Sequence, residues 1–208
     1  MSILIGLWSA SCEPSGAASP AEDPKPSEAH SSALETEPTD QKRGTSEATL
    51  TEAEATGKAQ AAIGPFKKKL KAALMSAISE GGPVAAVDVC HEVAPKLAAE
   101  ASSAKVTVGR SSHRLRNPDN APADWLTPVL KELEGLEQPA GATRTVALGE
   151  GRYGYVEAIV TGPPCLLCHG DNVAPEVEAT IAAHYPKDEA TGFSPGALRG
   201  VFWAEVQP

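Results

Sequence analysis

The run Cys165-Leu-Leu-Cys168-His169 restricts the possible folds of this chain more than any other feature of the sequence. Two thiols three residues apart can each add to one vinyl group of the same porphyrin, and the adjacent histidine is then held under the iron as its proximal ligand. The spacing therefore predicts a covalent c-type haem on Cys165 and Cys168, with His169 bound to the iron. Because such haems are attached outside the cytoplasm, the motif also predicts export.

Two other interpretations of these cysteines remain open. A thioredoxin-like dithiol opens a helix beside a βαβ unit, which the prolines before the cysteines and the glycine after the histidine disfavour. A zinc site would combine Cys165, Cys168 and Cys90 with His91 or His169.

The other face of the iron needs a second ligand, and the candidates are Cys90, His91, His113 and His184. Cys90 shares a helical stripe with Val87 and Ala94, which directs it toward the core, whereas His91 is turned about 100° away. If the other three cysteines carry haem or lipid, Cys90 has no disulfide partner in an oxidising compartment. Cys90 is therefore predicted either to bind the iron or to be a small buried apolar residue.

Charge and composition divide the chain and exclude two classes of protein. The 208 residues carry 27 acidic and 18 basic side chains, a formal net charge of −9. Nucleic-acid binding needs a basic stripe that this sequence lacks, and no apolar run approaches the ~18 residues of a membrane span. Residues 13–48 are acidic, rich in Pro and Ser and without an aromatic residue, so they are predicted to be a disordered linker.

Residues 1–12 form a separate segment that is uncharged up to Cys12. An apolar stretch, small residues and then a cysteine resemble the end of a bacterial lipoprotein signal, in which the cysteine is lipidated. The alternative is a frayed apolar N-terminus. We therefore expect a periplasmic protein, anchored to a membrane by lipid on Cys12.

Residues 49–208 are predicted to form the folded part. An apolar stripe from Ile63 to Ile78, spaced by three and four residues, predicts a helix that ends at Gly81-Gly82, and Pro83 begins another helix that extends to about Ala101. Strands are predicted at 105–109, 144–148, 153–160 and 198–206, and helices at 124–136 and 175–184. Helices followed by hairpin-linked strands predict an α+β domain on an antiparallel sheet.

Four blocks of sequence stand in order between Leu50 and Val206. They are V-C-H-E-V-A-P at 89–95, R-N-P-D-N-A-P at 116–122, C-L-L-C-H-G at 165–170, and Y-P-K-D-E-A-T-G at 185–192 with L-R-G at 198–200. With these blocks the folded part resembles the small PAS-like c-type haem domains of cyanobacteria and proteobacteria. The resemblance implies a PAS-like antiparallel sheet with helices packed around a covalent haem, His169 as proximal ligand and Cys90 as distal ligand.

Further residues are candidates for lining the haem pocket. Guanidinium groups pair with carboxylates through two parallel hydrogen bonds, and the candidate partners of the haem propionates are Arg110, Arg114, Arg116 and Arg199. Arg116 and Arg199 are favoured because they stand in the matching blocks. Four aromatic residues are predicted either to line the pocket or to pack in the core: Trp125, Tyr153, Tyr155 and Trp203.

Together these observations predict a periplasmic, membrane-tethered monohaem protein that acts in electron transfer or redox handling with an unidentified partner. The alternative is a haem-based redox or gas sensor that acts through a partner protein, and a structural zinc-binding protein is a second alternative. An enzyme is not expected, because two protein ligands leave no open position at the iron for a substrate.

Overall fold

The computed structural model of the protein describes residues 49–208, which lie within one compact unit, Thr45–Pro208. The predicted signal segment with Cys12 and the predicted linker at 13–48 lie outside the described residues. The described elements are, in chain order, α1 (Glu52–Asp88), a π-helical turn (Val89–Val93), α2 (Ala94–Ala101), β1 (Val106–Ser111), a 3-10 turn (Pro118–Asn120), α3 (Leu126–Glu134), β2 (Thr143–Gly149), β3 (Arg152–Val160), a second 3-10 turn (Pro163–Cys165), α4 (Leu166–His169), α5 (Pro175–His184) and β4 (Leu198–Val206). Within residues 49–208, no helix is both long enough and apolar enough to cross a membrane.

A capping box starts α1. The Thr51 hydroxyl accepts a hydrogen bond from the Glu54 backbone N–H at 3.3 Å, and the Glu54 carboxylate accepts one from the Thr51 N–H at 2.9 Å. The first half of the predicted apolar stripe is then buried in the core through Ile63, Phe66 and Leu70. The N-terminal half of α1 is therefore anchored both at its cap and along its apolar face.

Gly82 interrupts this long helical segment, as the Gly81-Gly82 pair predicts. Its φ of 73° and ψ of −172° lie outside the helical range, and the positive φ favours glycine. Pro83 begins the next helical stretch, at a position where a missing backbone N–H costs little.

The helix predicted to run on to Ala101 is divided in two by the π-helical turn at Val89–Val93, which the sequence analysis does not predict. At the end of this turn the Ala94 N–H donates to the Val89 carbonyl, five residues earlier. The turn carries Cys90, so the local geometry of this candidate ligand differs from that of a regular α-helix. Such turns inside helices are frequent at functional sites.

Four antiparallel strands form one sheet in the order β1-β4-β3-β2. The predicted hairpin between β2 and β3 is confirmed, and Gly149, Glu150 and Gly151 all have positive φ angles there. The predicted strands match the observed ones to within two residues. The α+β class on an antiparallel sheet is confirmed.

The two faces of the sheet carry separate cores. Because side chains alternate along β4, Phe202 and Ala204 pack in the cluster that contains α1 and α2, whereas Val201 packs in the cluster that contains α3. A third cluster joins the end of α1 to α5 through Val87, Val177, Ile181 and Tyr185. The segment that leads into the π-helical turn is therefore held by its own apolar contacts.

Gly109 of β1 lies opposite Trp203 of β4, and a Cβ atom there would come within 2.4 Å of the indole ring. We expect Gly109→Ala to lower the free energy of unfolding by about 1–3 kcal/mol, because the ring or the strand must move. Gly57→Ala is the control, since nothing lies within 4 Å of that helical position, and alanine there should stabilise by about 0.5–1 kcal/mol. Urea unfolding followed by circular dichroism measures both, and an undiminished stability of Gly109→Ala would contradict the packing of Trp203 over β1.

Candidate functional site

A cavity of about 660 Å³ brings together residues that are distant in sequence. Its lining includes every site residue favoured by the sequence analysis: Cys90, Arg116, Cys165, Cys168, His169 and Arg199. Parts of α1, β1, β3 and β4 complete the wall. The volume lies within the range of about 300–1,000 Å³ that is typical of sites for small molecules and cofactors.

Much of the wall is apolar. Leu70, Leu74 and Ile78 follow one another along one face of α1 and line the cavity, together with Phe202 of β4. Leu70 is buried in the core as well, whereas Leu74 and Ile78 are only half-buried. The second half of the predicted apolar stripe therefore faces the cavity instead of a packed protein core.

The Cys165–His169 segment is a short helical turn. A 3-10 turn ends at Cys165, α4 covers Leu166–His169, and the helix stops at Gly170, whose N–H donates to the Leu166 carbonyl. Residues three apart lie on the same side of a helix, so both thiols are presented to the cavity. None of the cysteines within residues 49–208 forms a disulfide. Burial raises the pKa of the Cys168 thiol, and Arg116 opposes that shift.

The imidazole of His169 is held in one tautomer. Its Nδ1 lies 2.6 Å from the Ala190 carbonyl oxygen, and because a carbonyl only accepts, Nδ1 carries the hydrogen. Burial, together with the positive charges of Arg199 and Arg116, lowers the pKa of His169 to about 2. The ring is therefore neutral, and Nε2 retains a lone pair with which it can bind a metal.

Backbone hydrogen bonds from the segment 188–193 hold this turn in place. The Phe193 N–H donates to the His169 carbonyl at 2.9 Å, and the Gly192 N–H donates to the Gly170 carbonyl at 3.0 Å. The ring of Phe193 also meets that of His169 edge to face, with centroids 6.2 Å apart. The sequence analysis did not identify Phe193, because backbone hydrogen bonds between distant segments leave no pattern in a single sequence.

Arg116 is buried, and the donors on one edge of its guanidinium all form hydrogen bonds. Its Nε and Nη2 donate to the two carboxylate oxygens of Asp188, at 3.1 and 3.0 Å, and Nη2 also donates to the Cys168 carbonyl at 2.6 Å. Asp188 lies in a block that carries the family resemblance, but the sequence analysis gave it no role. Its partner is 72 residues away, and no sequence pattern identifies that pairing.

Arg199 and Arg110 add positive charge to the cavity. Arg199 Nη1 lies 3.1 Å from the Ser112 hydroxyl, and its buried Nε has no hydrogen-bond partner within the part of the chain that the structure describes. Burial, together with the positive charges of Arg116 and Arg110, lowers the pKa of Arg199 to about 10. Burial also lowers the pKa of Arg110, whereas its interaction with Cys90 raises it. This concentration of cations, with a buried donor unsatisfied, suits an anionic ligand.

The four candidates for the distal ligand all lie among the described residues, and of these Cys90 alone lines the cavity. His91 is exposed and stacks against His184, with ring centroids 4.7 Å apart, and His184 lies 3.3 Å from the Asp88 carboxylate. His113 instead lines a second cavity, of about 730 Å³, that contains no cysteine. The geometry therefore agrees with the helical-stripe argument for Cys90.

Several other predicted lining residues lie elsewhere. Arg114 stacks on Phe193, with its guanidinium carbon 3.8 Å from the ring centroid, and lines the second cavity. The aromatic residues pack in the two cores on either side of the sheet, which confirms the core-packing interpretation for Trp125, Tyr153, Tyr155 and Trp203.

The two alternative interpretations of the cysteines are not supported by the arrangement of residues 49–208. No three or more His, Cys, Asp or Glu side chains in this range are grouped so that they could hold a metal ion by themselves, which gives the zinc site predicted from the sequence no support. The sheet is antiparallel throughout, and the βαβ unit expected beside a thioredoxin-like dithiol is therefore missing from the described chain.

His113 makes folding stability depend on pH. Burial lowers its pKa and Glu134, 3.7 Å away, partly restores it. Below about pH 6.5 the His113 imidazole is therefore protonated more readily in the unfolded chain than in the folded protein. The free energy of unfolding falls as the pH decreases. We expect the free energy of unfolding, measured in urea between pH 7.5 and 5, to fall less in His113→Asn than in wild type. In Glu134→Gln it should fall more. An identical fall in His113→Asn and wild type would contradict this account.

The chain is similar to a solved structure and matches a family model. The crystal structure of the cyanobacterial heme-protein Tll0287 is 30% identical in sequence, and the match covers 56% of this chain and 70% of that one, with a TM-score of 0.46. No curated protein matches. Residues 32–206 match the family described as Tll0287-like, which is most of the chain. The chain therefore belongs to the Tll0287-like family.

Proposed function

We propose that the 660 Å³ cavity binds a c-type haem, attached through Cys165 and Cys168 and ligated by His169 and Cys90. The observation that carries this proposal is the convergence of all four residues on one cavity, although Cys90 is 75 positions before Cys165 in the sequence. Membership of a family with a solved heme-protein adds support. The antiparallel sheet with its covering helices is compatible with the PAS-like fold that the resemblance implies.

The lining fits this group chemically. A porphyrin is a flat apolar ring with two carboxylate arms, and the cavity offers aliphatic walls from α1 together with buried arginines. Arg199 and Arg110 are the proposed partners of the carboxylates, because Arg199 has an unsatisfied buried donor. Arg116 stays a predicted partner, although its Nε and Nη2 already bond to Asp188.

The two side chains that would hold the iron, His169 and Cys90, differ in character. His169 is neutral and has its Nδ1 hydrogen committed to Ala190, so only Nε2 is left to bind iron. Cys90 would bind as a thiolate, and the positively charged Arg110 lines the same cavity. A haem held in this way supplies an iron that accepts and releases one electron.

We infer electron transfer or redox handling as the function, with an unidentified protein as the partner. His169 and Cys90 would both bind the iron, so we expect no substrate to be transformed there. We also propose a periplasmic location, with Cys12 as a lipid anchor and residues 13–48 as the tether, because c-type haem is attached outside the cytoplasm.

A sensor of redox state or of a gas is the second candidate, and the π-helical turn at Val89–Val93 favours it. This turn holds Cys90 and follows the break at Gly82, so the proposed distal ligand lies on the least regular part of the helical segment. A thiolate ligand that can leave the iron suits a sensor. Such a sensor would act through a partner protein.

Covalent attachment is tested by acid–organic extraction. The haem should stay with the denatured polypeptide in wild type and in Cys90→Ser, because Cys90 is proposed to bind only the iron. The double variant Cys165→Ala/Cys168→Ala should release it. Extraction of haem from the wild-type protein, or zinc at one equivalent per chain, would contradict the proposed cofactor.

The distal ligand is tested by replacing Cys90. A thiolate brings a full negative charge that stabilises ferric over ferrous iron, so Cys90→Ala should raise the reduction potential and speed carbon monoxide binding. His91→Ala is the matched control and should do much less, because this exposed side chain does not line the cavity. A ferric electron paramagnetic resonance spectrum that is unchanged in Cys90→Ala but altered in His91→Ala would overturn the assignment.

A further inference from the structure

The ion pair of Arg116 and Asp188 is an unusual feature of the cavity wall. Their side chains are only 8% and 11% exposed, and two parallel hydrogen bonds join them. A buried ion pair gains little net stability, because desolvation of the two charges offsets their attraction. Its position next to the Cys165–His169 turn suggests a purpose other than stability.

Both partners of this pair are bonded to the surroundings of His169. Asp188 Oδ1 accepts a hydrogen bond from the Ala190 N–H at 2.9 Å, and the Ala190 carbonyl accepts the hydrogen of His169 Nδ1. Arg116 Nη2 donates to the Cys168 carbonyl at 2.6 Å and to the Ala190 carbonyl at 3.3 Å. One ion pair therefore holds the peptide that precedes His169 and the carbonyl to which its ring bonds.

Three separate segments meet at this point. Arg116 comes from the connection after β1, Asp188 from the connection after α5, and His169 from the end of α4. The backbone also joins two of these segments, since the Glu189 N–H donates to the Leu115 carbonyl at 2.8 Å. A planar guanidinium with a fixed fork of donors can bridge such segments with a defined geometry, which a lysine ammonium cannot.

We propose that Arg116 and Asp188 are positioning residues for His169: they keep the Ala190 carbonyl in place, and so fix the tautomer and orientation of the imidazole toward the iron. This inference rests on the proposed function. A histidine ligand whose second nitrogen donates to a well-placed acceptor is a stronger base and a stronger donor to the metal. The ion pair thereby favours ferric iron and lowers the reduction potential through geometry, in addition to any direct effect of its charges.

Arg116→Lys separates geometry from charge, because it keeps the positive charge and removes the fork. We expect Arg116→Lys to keep its covalent haem, to shift the reduction potential to a more positive value and to change the g values of the ferric electron paramagnetic resonance spectrum. If charge alone matters, Arg116→Lys should match wild type in both measurements. Arg144→Lys is the control, since Nε and Nη2 of Arg144 also donate to a carboxylate, through one oxygen of Glu132, at a more exposed site away from the cavity.

Asp188→Asn provides a second variant, with nearly the same shape, should Arg116→Lys fail to fold. Its side-chain oxygen can still accept from Ala190, but its amide opposes the donors of Arg116. Positioning predicts altered g values together with a more positive potential, whereas a pure charge effect moves the potential alone. Wild-type g values in Asp188→Asn, or wild-type behaviour of Arg116→Lys, overturn the inference. Extraction of the same samples tells this failure from failure of the proposed function, which would show as loss of haem from the wild-type polypeptide.

Discussion

The hydrogen bond from His169 Nδ1 to the Ala190 carbonyl decides what the Cys165–His169 turn can do. Without an acceptor at that place, the ring would be free to rotate and to carry its hydrogen on either nitrogen. With it, a neutral imidazole keeps Nε2 for a metal, inside a wall that also contains buried cations. The two atoms of this bond are kept together by the backbone of segment 188–193, by the Arg116–Asp188 pair and by the glycine that ends α4.

The cavity continues the core that α1 builds with the sheet. Ile63, Phe66 and Leu70 pack against protein, whereas Leu74 and Ile78 on the same helical face meet the cavity. Each buried aliphatic side chain contributes roughly 1.5–3 kcal/mol, so a ligand that covers the second half of the stripe would complete the burial that the first half begins. A flat apolar cofactor would therefore act as part of the core, which would explain why a domain of this size tolerates such an opening.

The features of the fold that depend on neighbouring residue types could be predicted from the sequence. The positive φ of Gly82, the Gly149–Gly151 hairpin and the bounds of α5 follow from residue types within a few positions. The helical stripe likewise indicates that Cys90 lies at the cavity and His91 outside it. This holds although a π-helical turn replaces the regular helix from Val89, because Val87 and Ala94 on either side are both buried.

The remaining features depend on tertiary structure and could not be read from local patterns. The π-helical turn arises where one helical segment must satisfy contacts to α5 and to the sheet at the same time. Arg116 was predicted as a partner of carboxylate arms, and the structure shows that its first carboxylate is Asp188. A single sequence gives the charge and rigidity of an arginine, but the acceptors that it meets are set by loops that are distant in the chain.

The central claim is that iron lies between Cys90 and His169 inside this cavity, and X-ray absorption at the iron edge tests it most directly. The account predicts that ferric protein shows one sulfur ligand with nitrogen at all other positions, and that the sulfur signal is lost in Cys90→Ala. Iron surrounded only by nitrogen or oxygen in the wild-type protein would contradict the account, as would a sulfur signal that persists in the variant.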